Sequence, residues 1–389
     1  GEPLVAFRDS SGRVGLLGQR CPHRGASLFF GRNEECGLRC VYHGWKFDVS
    51  GKCVDMPNEP AESNFKDKIR AVAYPCQERG GIIWTYMGSR PVPPPLPDLE
   101  ANMLPADDCV AYALQRECNW LQGLEGEIDT SHFAFLHYGS LQPENTPPGS
   151  YDHYIVKDRT PRFSVLDTDG GALYGAYRPA HDGLNYWRIA QFVFPFYAMI
   201  PTGVLGQQII TRAWVPMDDE HMMFFSMSSK ESFNRLRAAV DGGPTGGGLW
   251  QVLPNTSDWF GRFRLLPDGR NDYLIDREKQ RTGEEYTGII GVHTQDQAIT
   301  ESMGRILDRG NEHLGAADAM VIKVRRRLLS AVRALVEKGI TPPGVDDPDV
   351  YRVRSGQAFL PADADWLEAT KDLRRGFVQH PQAVIDQLV

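Results

Sequence analysis

The chain is organised around two short stretches near its start, Cys21-Pro-His-Arg-Gly25 and Cys40-Val-Tyr-His-Gly-Trp45. Each stretch presents one thiol and one imidazole. Two thiolates and two neutral imidazoles bind either a tetrahedral zinc ion or a two-iron cluster in which one iron takes both cysteines and the other both histidines. A zinc finger of the common kind gathers its cysteines first and its histidines afterwards, whereas here each stretch mixes the two. The spacing therefore favours the cluster, with a structural zinc site as the alternative.

The same two stretches resemble the Rieske motif of the ring-hydroxylating oxygenases, including the Gly-Trp pair that follows the second histidine. The resemblance implies a [2Fe-2S] cluster and an N-terminal all-β domain that holds it. The residues it implies as cluster ligands are Cys21, His23, Cys40 and His43. Strand-like runs at 4–7 and 14–17, on either side of a polar turn, predict a first hairpin in this domain.

Length and composition indicate a protein of two domains. A chain of 389 residues is long for one core, and the proline-rich residues 90–97 cannot form a helix or a central strand. We therefore predict a Rieske domain over residues 1–97 and a catalytic domain over residues 98–389. The chain starts without Met and almost inside a strand, so we expect that an N-terminal segment is missing.

Charge and hydropathy argue against two kinds of partner, nucleic acid and membranes. The formal net charge of −8 does not favour nucleic acid, and the longest apolar run is broken by prolines, so no membrane association is expected. The five cysteines outside the cluster motif are scattered in a way that fits reduced thiols, and no signal-peptide pattern opens the chain. A cytoplasmic protein is predicted.

The glycine-rich residues 241–248 lack the strand-and-helix frame of a phosphate-binding loop, and we predict a flexible insertion there. No nicotinamide or flavin fingerprint occurs in the chain. Electrons for a cluster must therefore come from another protein.

A second group of candidate residues lies in the segment from Asn119 to His137, whose apolar positions recur at helical spacing. On one helix, Glu125, Asp129 and His132 would lie along one stripe. His137 follows five residues later, about 140° round an ideal helix, so both imidazoles can bind one metal only if the helix widens or breaks between them. Two histidines and a carboxylate from elsewhere form the facial triad of non-haem Fe(II) oxygenases, and two structural histidines are the alternative.

The spacing Asp-x-x-His-x-x-x-x-His resembles the iron-binding motif of the same oxygenase family, and the surrounding residues look most like the phthalate dioxygenase branch. The resemblance implies that His132 and His137 bind the mononuclear iron. It selects Asp296 in the segment Gln295-Asp-Gln-Ala-Ile-Thr-Glu301 as the third ligand, with Glu301 as the alternative.

The resemblance also implies a role for Asp129 as a bridge rather than as a metal ligand. A carboxylate can accept hydrogen bonds from two imidazoles and so link an iron histidine to a cluster histidine. The cluster histidine would belong to the neighbouring subunit of a head-to-tail trimer, and we predict that it is His43.

Residues 151–225 contain five strand-sized runs rich in aromatic and β-branched residues, which predict an antiparallel sheet flanked by helices and an α+β fold class. A planar substrate would suit a pocket lined by aromatic residues, for which we name Phe133, Phe135, Phe194 and Tyr197. An anionic substrate needs a guanidinium in an apolar wall. The strand arginines that could supply one are Arg162, Arg178 and Arg188, and the alternative for each is a surface or salt-bridge role.

Together these features predict the terminal oxygenase component of a Rieske non-haem iron system. A separate reductase, carrying flavin or an iron–sulfur centre and using NADH or NADPH, would supply electrons, and O2 would hydroxylate an aromatic carboxylate. A homotrimer or stacked trimers are expected. Monohydroxylation or O-demethylation of a methoxy- or aryl-ether benzoate stays open, because similar metal sites support these outcomes. A Rieske electron carrier without oxygenase activity and a zinc-containing interaction module are the alternatives from other classes.

Overall fold

The computed structural model describes residues 1–60, 62–242 and 251–389. The chain forms two compact units, Gly1–Pro94 and Pro95–Val389, so the division lies within the proline-rich stretch. Of the glycine-rich residues predicted to form a loop, 241 and 242 end a helix, and 243–248 lie outside the described residues.

The first unit is built of short antiparallel strands. β1 pairs with β2 and β2 with β7, β3 to β6 form a second sheet in chain order, and β8 pairs with β9. The predicted first hairpin is confirmed, and the buried Asp9 carboxylate closes its turn by accepting hydrogen bonds from the N–H groups of Ser11 and Arg13. The strands are β1 (Leu4–Arg8), β2 (Val14–Gly18), β3 (Arg32–Glu34), β4 (Gly37–Arg39), β5 (Lys46–Phe47), β6 (Cys53–Asp55), β7 (Ala73–Tyr74), β8 (Cys76–Arg79) and β9 (Ile82–Thr85).

The core of the first unit includes the two cysteines of the cluster motif. Cys21 and Cys40 are buried in the same apolar cluster as Leu17, Leu28 and Phe47, each of which is fully inaccessible. Because close-packed side chains resist displacement, this core holds both cysteine-bearing loops in place.

The second unit contains an antiparallel sheet with the strand order β10-β16-β15-β14-β13-β12-β11, and β17 also pairs with β13. The predicted sheet is confirmed, and each of the five predicted runs overlaps a strand. The strands are β10 (Cys109–Arg116), β11 (Arg162–Thr168), β12 (Gly171–Pro179), β13 (Leu184–Val193), β14 (Tyr197–Met199), β15 (Ile210–Pro216), β16 (Met222–Ser229) and β17 (Gly356–Pro361).

Helices surround this sheet, and a π-helical turn, Phe133–His137, follows the first of them. The prediction of β structure from residue 151 was wrong at its start, where Ser150 caps a helix by accepting a hydrogen bond from the His153 N–H. The helices are α1 (Trp120–Ile128), α2 (Tyr151–Lys157), α3 (Lys230–Gly242), α4 (Arg277–Thr282), α5 (Val292–Ser302), α6 (Ala319–Lys338), α7 (Trp366–Ala369) and α8 (Gln382–Ile385). Within the described ranges, no helix is both long enough and apolar enough to traverse a bilayer.

Helix α1 lies directly against the sheet through its apolar face. Leu124 and Ile128 are buried in one apolar cluster with Trp214 of β15. Gly123 permits this close approach, because a Cβ atom at this position would lie 2.4 Å from Cε3 of Trp214 and 2.5 Å from Cε of Met222. The sheet therefore determines where α1, and the histidines that follow it, can lie.

We predict that Gly123→Ala lowers the stability of the second unit by about 1–3 kcal/mol, because the added methyl group overpacks the interface with Trp214. The midpoint of unfolding, followed by near-UV circular dichroism, measures this change. Gly126→Ala on the same helix is the control, since its Cβ would meet only Thr300 at an ordinary 3.4 Å. Equal midpoints for the two variants would contradict the close packing.

Candidate metal centres and substrate cavity

The two loops of the cluster motif share one backbone design. Gly25 donates its N–H to the Cys21 carbonyl at 2.9 Å, and Gly44 donates to the Cys40 carbonyl at 3.0 Å. Both glycines have positive φ, 75° and 81°, which L side chains rarely adopt. Each loop is therefore a tight turn that presents its cysteine and its histidine from a fixed backbone.

Among the four predicted cluster residues, the two histidines are neighbours and the two cysteines are neighbours. The rings of His23 and His43 lie with centroids 4.5 Å apart, and the thiol of Cys40 is close enough to that of Cys21 to raise its pKa. A Rieske cluster requires this pairing of thiol with thiol and imidazole with imidazole, because one of its irons takes both cysteines and the other takes both histidines.

The electrostatics of the four residues also fit a cationic group. Burial, with the neighbouring Cys40, raises the pKa of the Cys21 thiol to about 11, so a bare thiolate is disfavoured there without a metal. Nδ1 of His23 is buried without a hydrogen-bond partner among the described residues. A buried polar nitrogen is costly to leave unsatisfied, and metal ligation would satisfy it.

The second candidate centre is formed where α1 ends. The α-helix stops at Ile128, with Asp129 as its C-cap, and a π-helical turn follows at Phe133–His137. The continuous helix expected up to His137 was therefore wrong, whereas the widening expected between the two histidines is present. This wide turn brings Nε2 of His132 to 3.2 Å from Nε2 of His137.

Asp296 on α5 faces these two imidazoles. Its Oδ1 lies 3.2 Å from Nε2 of His137 and 3.6 Å from Nε2 of His132, and the three ligand atoms are all within 4.8 Å of one another. Two neutral nitrogens and a carboxylate oxygen at these distances match the donors of a 2-His-1-carboxylate iron site. The structure thus brings together the three residues that the sequence proposes for the mononuclear iron.

The carboxylate of Asp296 lies in a strongly cationic environment. Burial by itself would raise its pKa, but the charge and hydrogen bond of His137, followed by the charges of His132 and Arg116, hold that pKa far below its usual range. A partly buried carboxylate that stays ionised is suited to bind a cation.

Glu301, the alternative third ligand, has other partners. Its carboxylate accepts hydrogen bonds from the Glu117 N–H at 2.8 Å and from the Tyr273 hydroxyl at 2.7 Å. Glu125 also lies apart from the centre, because its carboxylate forms ion pairs with Arg309 and Arg325. The stripe of three residues proposed along α1 is therefore not formed around the metal centre.

Asp129 lies beside the metal centre without joining the three ligand residues. Its Oδ2 is 3.6 Å from Nδ1 of His132, and its Oδ1 accepts a hydrogen bond from the Ser131 N–H at 2.7 Å. Burial lowers the pKa of His132, but Asp129 and Asp296 outweigh this effect and raise that pKa above its ordinary value. Asp129 therefore supports His132 from the side opposite the metal-facing nitrogen.

A buried glutamine fixes α1 against the chain that carries Asp296. Nε2 of Gln122 donates to the carbonyl oxygens of Thr300 and Gly304, at 3.0 and 2.9 Å, and its Oε1 accepts from the Leu307 N–H at 2.9 Å. The Gln122 side chain therefore helps to fix the position of the histidines relative to Asp296, by joining two distant parts of the sequence.

A cavity of about 480 Å³ opens onto the three candidate iron ligands. Besides histidines, the aromatic residues in its wall are Tyr112, Phe133, Tyr138, Tyr174, Trp214, Phe233 and Tyr273. Of the pocket residues expected from the sequence, Phe133 lies in this wall, Phe135 is 48% exposed, and Phe194 and Tyr197 are buried in the protein interior. The wall is therefore aromatic as expected, but most of its aromatic residues were not foreseen.

The three candidate arginines occupy three different environments. Arg188 lines the cavity, is 5% exposed, and has its guanidinium 4.7 Å from the ring centroid of Phe133. Arg178 is fully buried away from the cavity wall, and burial lowers its pKa to about 10. Arg162 is largely exposed and pairs with Asp158 at 3.3 Å. Of these three arginines, Arg188 is the one that lines the cavity and could contact a molecule bound there.

Several charged residues in the cavity wall were not foreseen from the sequence. Arg116 is 2% exposed and lies 4.8 Å from the ring of Trp214, while Arg212 forms a buried ion pair with Glu127 at 2.5 Å. Both arginines lie in strands, where a buried cation is unusual. An arginine within a strand-like run was therefore the signal by which the sequence could have indicated these cavity residues.

Comparison with known proteins agrees with this geometry. Residues 85–382 match the family described as LigXa C-terminal domain like, and residues 1–75 match the Rieske [2Fe-2S] domain. The chain is 48% identical over 385 residues to the 3-chlorobenzoate-3,4-dioxygenase oxygenase subunit of Comamonas testosteroni, covering 97% of this chain and 89% of that protein. It is 36% identical to the phthalate 4,5-dioxygenase oxygenase subunit of Pseudomonas putida, with coverages of 95% and 83%.

A solved structure of dicamba monooxygenase bound to dicamba shares the fold. The TM-score is 0.57 at 19% sequence identity, over 87% of this chain and 92% of that one. At this level of identity the likeness concerns the fold alone.

A Rieske domain followed by a sheet-and-helix unit with a candidate iron triad is typical of an oxygenase component of the Rieske non-haem iron class. The chain belongs to the LigXa C-terminal domain like family and falls in the phthalate dioxygenase-like branch. The predicted family, enzyme class, cluster and mononuclear iron are confirmed. The zinc module and the simple electron carrier no longer apply.

We predict that His132→Ala and Asp296→Ala each lower the iron content from about three to about two atoms per chain, because each removes one of three protein ligands. Iron analysis measures the loss, and the visible spectrum of the cluster should not change. Glu301→Gln is the control and should keep the full iron content. Loss of iron from Glu301→Gln but not from Asp296→Ala would show that Asp296 is not the ligand.

Proposed function

We propose that this chain is the terminal oxygenase component that hydroxylates an aromatic carboxylate with O2 and electrons from NAD(P)H, delivered by a separate reductase. The observation that carries the proposal is Arg188. It lines the cavity that opens onto the candidate iron triad, and among the described residues no carboxylate forms an ion pair with it. A buried guanidinium without an acidic partner suits an anionic substrate.

The interactions of Arg188 support a fixed orientation for its guanidinium. Nε donates to Oγ1 of Thr130 at 2.7 Å, and the guanidinium lies over the ring of Phe133. Nη1 also donates to Oε1 of Gln357 at 3.4 Å. Because these contacts fix the plane of the guanidinium, Arg188 would present its remaining N–H groups to a carboxylate in a defined direction.

The relatives support the same substrate class. The two most similar ones described above are named for 3-chlorobenzoate and for phthalate, which are both aromatic carboxylates. The aromatic wall of the cavity would receive the ring while Arg188 receives the carboxylate. Turnover of a panel of benzoates, phthalates and methoxybenzoates would determine the substituent pattern of the ring.

Different residues of the chain would bind the metal, exclude water and orient the substrate. His132, His137 and Asp296 would hold the mononuclear iron, which supplies electron transfer and dioxygen activation when bound. The cavity adjoins all three of these residues, so that a substrate could reach the centre from that side. Phe133 and Trp214 would exclude water from the ring of the substrate, and Arg188 would fix which ring carbons face the triad.

The cluster residues Cys21, His23, Cys40 and His43 would receive electrons from a reductase that carries flavin or an iron–sulfur centre. We further propose a homotrimer, or stacked trimers, in which His43 of one subunit approaches Asp129 of the next. The Asp129 side chain is 27% exposed, so its carboxylate remains accessible to a second donor. A cytoplasmic location is proposed because the cysteines outside the cluster motif are scattered along the sequence in a way that fits reduced thiols.

We predict that the wild-type protein, with a surrogate reductase, couples oxygen uptake to the loss of a carboxylated aromatic compound from a panel of benzoates, phthalates and methoxybenzoates. Arg188→Met should raise KM for that substrate about tenfold or more, because a charged hydrogen bond contributes about 1.5–3 kcal/mol. Product analysis distinguishes dihydroxylation from monohydroxylation and O-demethylation.

Arg162→Met is the matched control, since this arginine lies in a neighbouring region of the sheet but is largely exposed and paired with Asp158. Its KM should equal that of the wild type. An increase in KM for Arg116→Met instead of Arg188→Met would place the carboxylate at a different part of the wall. Turnover of uncharged aromatics only would refute the substrate class.

We predict that Asp129→Asn slows electron transfer from the reduced cluster to the mononuclear iron by roughly tenfold or more in single-turnover experiments, because an amide is a weaker acceptor than a carboxylate for imidazole N–H groups. Both metal contents should stay at wild-type levels. Asp167→Asn, on an exposed position of β11, is the control. A wild-type rate for Asp129→Asn would exclude the bridge.

A further inference from the structure

Gln295 lies next to Asp296 on α5 and contacts one of the candidate iron ligands from behind. Its side chain is fully buried, and its Oε1 lies 2.7 Å from Nδ1 of His137. The ring of His137 is almost completely buried as well, with 1% of the side chain exposed. Nδ1 of His137 is the nitrogen that faces away from Asp296, so this contact belongs to the support of the metal centre and not to the ligand set.

The orientation of the Gln295 amide follows from its other partners. Nε2 lies 2.8 Å from the Ile289 carbonyl oxygen, 3.1 Å from Oε1 of Glu285 and 3.2 Å from Oγ1 of Thr287. A carbonyl oxygen can only accept a hydrogen bond, and an ionised carboxylate also only accepts. The nitrogen of the amide must therefore face this group of acceptors, and the oxygen must face His137.

This orientation decides which nitrogen of His137 carries the proton. The amide oxygen has no hydrogen to donate, so a hydrogen bond at 2.7 Å requires the proton on Nδ1. In the neutral imidazole, Nε2 is then unprotonated and has a lone pair directed at His132 and Asp296. The buried amide thus selects the tautomer that can bind a metal.

The two iron histidines are supported by different chemistry. Nδ1 of His132 faces the carboxylate of Asp129, which is partly exposed, whereas Nδ1 of His137 faces a neutral, fully buried amide. A carboxylate adds negative charge to its imidazole, and an amide fixes the ring without adding charge. His132 therefore has the support expected of a ligand on an electron path, and His137 has the support expected of a purely positional one.

We propose that Gln295 is a positioning residue for the mononuclear iron: it holds His137 in the Nδ1–H tautomer and in its metal-facing orientation, and the acceptors Ile289, Glu285 and Thr287 hold Gln295 in turn. The inference rests on the proposed ligands His132, His137 and Asp296. The sequence did not reveal this role, because the partners of Gln295 come from residue 137 and from the loop before α5.

The test uses full-length protein that keeps its cluster but has been depleted of mononuclear iron. Co²⁺ is titrated into it in competition with a chelator, and the electron paramagnetic resonance of high-spin Co²⁺ reports the coordination. Gln295→Leu should weaken Co²⁺ binding roughly 10- to 100-fold and alter the Co²⁺ signal, because the tautomer with the proton on Nε2 competes with the metal.

A control variant keeps the test independent of folding. Gln297→Leu is matched to Gln295→Leu, since Gln297 is 3% exposed on the same helix and does not line the cavity. It should bind Co²⁺ with wild-type affinity.

The outcomes separate this inference from the proposed ligand set. If wild-type protein binds one Co²⁺ and His132→Ala abolishes this binding, the ligand set holds. Wild-type affinity and an unchanged signal for Gln295→Leu would then overturn the role of Gln295 alone. Equal weakening by Gln295→Leu and Gln297→Leu would also overturn it, because the loss would then reflect general damage to α5.

Discussion

The catalytic unit depends on the interruption of one helix. Helix α1 ends at Ile128, and the chain then forms a π-helical turn before His137. On a continuous α-helix two residues five positions apart diverge by about 140°, and their side chains could not reach one ion. The interruption changes that angle and brings Nε2 of His132 and Nε2 of His137 to 3.2 Å from each other.

Buried charge is the second constraint on this unit. Four arginines line one cavity, namely Arg116, Arg188, Arg212 and Arg237, and the first three are buried. Of these three, only Arg212 forms an ion pair with a carboxylate among the described residues, that of Glu127. Isolated buried charges are expensive, so this distribution indicates a cavity suited to an anion. The charge of Arg116 also contributes, after those of the two histidines, to the low pKa of the partly buried Asp296 carboxylate.

The two units hold their candidate metal ligands in place in different ways. The first unit uses two tight turns of the same design, each closed by a glycine with positive φ, and places the ligands by backbone geometry. The second unit places its ligands through side-chain contacts between distant segments, such as Gln122 with the end of α5 and Gln295 with His137. The first design is local in sequence and the second is not. This difference has a direct bearing on what could be anticipated without coordinates.

The sequence alone determined the features whose causes are local. The cluster motif, the first hairpin, the five strand-sized runs and the need for a widened turn before His137 all follow from spacing and residue type. Resemblance to a family added Asp296, which spacing could not select among 50 acidic residues. Tertiary structure decided where α1 ends, that Glu125 and Glu301 turn to other partners, and that Arg188 reaches the cavity while Arg162 and Arg178 do not. The physical reason is that burial and ion pairing depend on residues brought from elsewhere in the chain, and no local pattern records them.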